Sequence, residues 1–105
     1  MAVIDFTVTK YATGRGSGAA SIRSSRTRIS GQDTITTVEN LEDASGDITL
    51  AAGDILAIHS DVAIRIAFGG TAATGTTGHY IPAAAMIEIE VHGDDAGTVS
   101  AIEAS

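Results

Sequence analysis

The chain is predicted to fold as an all-β domain, a compact antiparallel β-sandwich or jelly-roll-like unit of about eight short strands. Three observations predict this. First, two runs alternate strictly: Val62, Ile64, Ile66 and Phe68 share one parity against Ala63, Arg65 and Ala67, and Ile87, Ile89 and Val91 alternate with Glu88, Glu90 and His92. Successive side chains of a strand point to opposite faces, so each run has one apolar face, as a half-buried antiparallel strand requires. Second, Ile and Val total 19 against three Leu, with 13 Thr besides. Branching at Cβ restricts χ1 and suits a pleated surface better than a helix. Third, turn signals separate the apolar runs at short intervals, and no long 3.6-residue period or internal repeat competes.

Taken in order, Ile4, Phe6 and Val8 share a parity with Asp5, Thr7 and Thr9 between them, which predicts a strand over 3–9. Gly14, Gly16 and Gly18 then mark a flexible loop or arm joint. Residues 22–29 are rich in Arg and Ser with only two apolar residues, and fit an edge strand whose charges discourage promiscuous pairing. A short strand is expected over 34–38, one helical turn or a loop over 41–44, and a turn at Gly46-Asp47 before a strand over 48–50. Gly53-Asp54 is another turn, before a strand over 55–59. Ser60-Asp61 is a hairpin or bend leading into the Val62 run. Residues 69–78 hold no large apolar side chain and read as a surface excursion. Pro82 cannot donate to a ladder and marks a strand start or edge. After the 87–91 strand come a turn over 92–97 and a closing strand over 98–102.

At 105 residues the chain is expected to form one domain, with 1–32 holding a flexible basic N-terminal arm or loop. It has no cysteine, so neither disulfides nor thiolate metal sites support it. Phe6, Tyr11, Phe68 and Tyr80 are its only aromatics. A core of Ile, Val and Ala is thin, and oligomerisation is a natural way to bury more area. Residues 1–32 carry a net +4 and residues 33–105 a net −11, for −7 in total. Such a chain pairs head to tail or grips an acidic partner. Its overall field repels phosphate, which argues against nucleic acid. No basic leader with an apolar run is seen, and no apolar run approaches the roughly 18 residues of a membrane span, so a soluble protein made in the cytoplasm is expected.

Candidate chemistry is sparse. Gly14-x-Gly16-x-Gly18 lacks the spacing of a phosphate loop and reads as a flexible loop. His92-Gly93-Asp94-Asp95 gathers one imidazole and two carboxylates, but a metal needs further ligands that the sequence does not name. His59 and His79 fit no metal or triad spacing. Glu88 and Glu90, about 7 Å apart by strand rise, read as a solvated face rather than an acid–base pair. The sharpest feature is the set Arg15, Arg23, Arg26 and Arg28, since guanidinium groups suit carboxylate contacts and are enriched at interfaces. The competing reading is a solvated edge balanced by the protein's own acidic body. No cofactor and no catalytic residue is assigned.

From Gly53 onward the chain runs Gly-Asp, a strand, Ser60-Asp61 and Val62-Ala63-Ile64-Arg65-Ile66-Ala67. A Gly/Ala/Thr loop follows, then His79-Tyr80-Ile81-Pro82-Ala83, an alternating strand and a closing strand. This half of the chain resembles small virion proteins of tailed bacteriophages, of the head-decoration or cement type. The resemblance implies a non-enzymatic β-sandwich, trimeric, that is assembled in the host cytoplasm, binds the major capsid protein and reinforces the shell. The arginine stretch has no counterpart in it. Two other classes stay open: a tail-fibre or baseplate component that binds carbohydrate, with Tyr80 and the 69–79 loop exposed, and a small enzyme in which two or more of His59, His79, His92, Glu88 and Glu90 converge in a pocket.

Overall fold

The computed structural model describes residues 1–10 and 27–105, which form an all-β, sandwich-like domain of antiparallel sheets. Ten strands follow one another: β1 (Ala2–Lys10), β2 (Thr27–Ile35), β3 (Glu39–Asn40), β4 (Glu42–Asp43), β5 (Gly46–Asp47), β6 (Asp54–Ser60), β7 (Ile64–Ala67), β8 (His79–Ile81), β9 (Met86–Glu90) and β10 (Ser100–Glu103). One four-stranded sheet has the order β2-β1-β6-β9 and the other β3-β10-β7-β8, while β4 and β5 make a small hairpin.

The alternation seen in the sequence places the core. On β1, Ala2, Ile4, Phe6 and Val8 point inward and are buried. Register sets Leu56 and Ile58 of β6 beside them, and Ile87 and Ile89 of β9 beyond. From the facing sheet come Ile64, Ile66, Ile81 and Ala101, and all of these join one apolar cluster with Leu41, Ile48, Leu50, Val91 and Val99. Each fully buried Ile or Leu contributes about 1.5–3 kcal/mol relative to exposure, which is how a core with few aromatics suffices. Phe6 is admitted by Gly31 directly across the ladder, since a Cβ there would sit 3.0 Å from the ring.

Several expected elements differ. Residues 27–35 form one long edge strand, so the expected 34–38 strand does not exist; its first two residues end β2 and the rest is a bend. Residues 41–44 are neither a helical turn nor a plain loop: Glu42–Asp43 pairs with Gly46–Asp47 as a minimal hairpin, its turn held by the Asp43 carboxylate accepting from the Ser45 amide at 2.8 Å. The expected 48–50 strand reduces to one bridge, Leu50 to Gly97. Ser60-Asp61 joins no hydrogen-bonded neighbours; it carries the chain from one sheet to the other, with the Asp61 carboxylate accepting from the Val3 amide at 2.8 Å.

The 69–78 segment is a surface excursion, as expected, and it is fastened to the body. The Ser100 hydroxyl accepts from the Ala73 amide at 2.7 Å and donates to the Thr71 carbonyl at 3.0 Å, and Ala73 is buried. The Ser105 amide donates to the Gly75 carbonyl at 2.9 Å, so the polar tail joins the same seam. Pro82 follows the edge strand β8, as a residue without an N–H can.

Topology also locates the basic stretch. Residues 2–10 are an inner strand of the sheet, and residues 11–26 connect β1 to its hydrogen-bonded neighbour β2.

Candidate functional site

Of the four arginines singled out, Arg15, Arg23 and Arg26 lie outside the described residues. Arg28 stands at the root of the connection. In the β1–β2 ladder Val8 faces Ile29 and Thr9 faces Thr27, so Arg28 is the extra residue of a β-bulge. A bulge re-aims a side chain, and here the guanidinium Nη2 reaches the Asp54 carboxylate and donates to the Thr49 carbonyl at 2.9 Å. Asp54 is fully buried, and its Oδ2 also accepts from the Ala51 amide at 2.8 Å. Arg28 therefore pairs with one oxygen of the protein's own carboxylate and pins the mouth of the connection to the start of β6. Sequence reasoning read Asp54 as half of a turn and missed this. The turn is present, with Gly53 at φ +86°, but the burial of the Asp54 carboxylate depends on a residue 26 positions away.

Charge is segregated along these lines. All 13 carboxylates of the chain fall on described residues, and the 11–26 connection holds three arginines and no acid.

A second surface feature is formed by register. Arg65 on β7 lies directly opposite Tyr80 on the edge strand β8, with its guanidinium carbon 5.1 Å from the ring centroid. Its Nη1 donates to the Gly78 carbonyl at 3.2 Å. Tyr80 stays 52 % exposed. A cation under an aromatic face adds about 0.5–1 kcal/mol at such a site and holds the ring in place. Alternation alone puts Arg65 on the outer face, but only the ladder reveals its partner.

Of the remaining candidates, His79 and His92 lie apart from the other three. His79 packs edge-on against Phe68 at 5.3 Å between centroids. His92 precedes a 3-10 turn over Gly93–Asp95 whose residues are all exposed. His59, Glu88 and Glu90 share the outer face of the β2-β1-β6-β9 sheet. Among the described residues no three His, Asp or Glu side chains group so as to hold a metal ion. No family model, no curated protein and no solved structure matches the chain.

Proposed function

We propose that the chain is a non-enzymatic structural protein of a bacteriophage virion, of the head-decoration or cement type, which binds the major capsid protein on the capsid surface as a homotrimer and stabilises the shell. The observation that carries this reading is the charge arrangement on the fold. In an acidic antiparallel domain, the sequence that links two paired strands has arginine as its only charged residue, and the Arg28–Asp54 ion pair lies at its root. A basic stretch with a fixed root suits anchoring to an acidic coat surface. Resemblance over the C-terminal half points the same way.

The test is co-sedimentation with empty capsids. The Arg15/Arg23/Arg26→Ala variant keeps Arg28, so that loss of binding is not loss of the Asp54 ion pair. Binding at least tenfold weaker is expected, and unchanged affinity removes the anchoring role.

The exposure of Tyr80 favours one other reading, a tail-fibre or baseplate component that binds carbohydrate. Glycan binding that is lost in Tyr80→Ala but kept in the arginine variant would select it.

A further inference from the structure

We infer that the outer face of the β2-β1-β6-β9 sheet carries a pocket for a single arginine side chain presented by a partner protein. This is a second binding surface, distinct from the basic connection, and it does not depend on the virion reading.

The pocket is a surface cavity of about 330 Å³ lined by Asp5, Thr7, Ser30, Gln32, Ala57 and Met86, together with backbone of Phe6 and Gly31. Register explains its form. Gln32, Asp5, His59 and Met86 make one row across four strands, and Ser30, Thr7, Ala57 and Glu88 make the next. The second row is low at its centre because Ala57 and Thr7 are small, while Met86 and Gln32 rise on the two edge strands. Ala57 is 4 % exposed and forms an apolar floor; Met86 is 54 % exposed and forms a wall.

The polar groups are set as acceptors. Gln32 Nε2 donates to Asp5 Oδ1 at 2.8 Å, which holds the carboxylate and directs Gln32 Oε1 and Asp5 Oδ2 away from that bond. Two such acceptors match the planar donor fork of a guanidinium, whereas a lysine ammonium has three donors but no planar fork and is more strongly hydrated. Among the described residues that line the pocket, Asp5 is the charged group, and the bulge turns Arg28 away from this face to Asp54. A cation is therefore the complementary charge. The exposed Met86 thioether lies where the aliphatic stem of an arginine would run. A cavity of this volume is at the small end of ligand pockets, as a single side chain requires.

The experiment is an NMR titration of the full chain at low salt with the peptide acetyl-Thr-Arg-Thr-amide, compared with the same peptide carrying citrulline, the neutral isostere. Shifts are expected at the Gln32 side-chain amide, the Thr7 and Ser30 amides and the Met86 methyl. Affinity should fall about fivefold with citrulline and in Asp5→Asn, the change for an exposed ion pair near the top of its ordinary range. Asp94→Asn removes the same charge elsewhere and should leave affinity unchanged. Equal binding of the citrulline peptide, equal binding by Asp5→Asn, or shifts confined to other residues would overturn the assignment. So would N-acetylglucosamine moving the same signals more strongly than the arginine peptide, which would make this a sugar site.

Discussion

Removing the Arg28 guanidinium takes a charged partner from a carboxylate that has no exposure to water. Arg28→Ala should therefore destabilise the domain by about 3 kcal/mol, read as a lower urea midpoint at unchanged slope. Arg28→Lys should recover part of this, since it keeps the charge but not the planar fork that serves Asp54 and the Thr49 carbonyl together. Gly78 is a second sensitive position. Its φ is +106°, and a Cβ would lie 2.6 Å from the Ile66 carbonyl oxygen. Gly78→Ala should cost about 2 kcal/mol or more through strain that no rotamer relieves, and an unaltered denaturation midpoint would disprove it. At this scale the inward residues of β1, β7 and β9 were legible, because alternation is a local property. The environment of Asp54 was not, because it is made by Arg28 and by the backbone of residues 49–51.

Among the elements, the β4–β5 hairpin is the most delicate. Glu42 faces Asp47 directly across it, with Asp33 and Glu39 nearby. The hydrogen bond and then the charge of Asp47, followed by desolvation and the charges of Asp33 and Glu39, raise the Glu42 pKa above its ordinary value. A raised pKa in the folded state means the stabilisation is fully present below the unfolded pKa and is lost as pH rises through the folded one. The hairpin should accordingly be firmest in acid and loosen on the way to neutral pH. Amide exchange at Ser45 and Gly46, corrected for intrinsic pH dependence, measures this; Glu42→Gln should flatten the profile. The 69–78 flap depends on the Ser100 hydroxyl. Ser100→Ala should cost about 1–2 kcal/mol and speed exchange of the Ala73 amide, which loses its acceptor. Neither device was legible beforehand. Strands of two residues have no period to detect, and a Gly/Thr/Ala run gives no sign of being stitched to a residue 27 positions away in the chain.

For the molecule as a whole, the trimer expectation is checked by light scattering of the purified protein: a trimer mass fits the virion reading, and a stable monomer counts against it. The all-β class and antiparallel arrangement were legible from composition and turn spacing. The sheet change at Ser60-Asp61 was not, since a tight junction looks the same whether the next strand joins the same sheet or the opposite one. The β1–β2 pairing has one more consequence. Thr9 and Thr27 are ladder partners, so their backbones lie about 5 Å apart whatever joins them. Residues 11–26 thus begin and end at neighbouring points of one ladder. Replacing residues 11–26 by a short Asn-Gly turn should leave the thermal melt of the domain intact while abolishing capsid binding. By the same logic this junction should accept foreign sequences between Thr9 and Thr27, and chimeras that keep the parent melting temperature would show it.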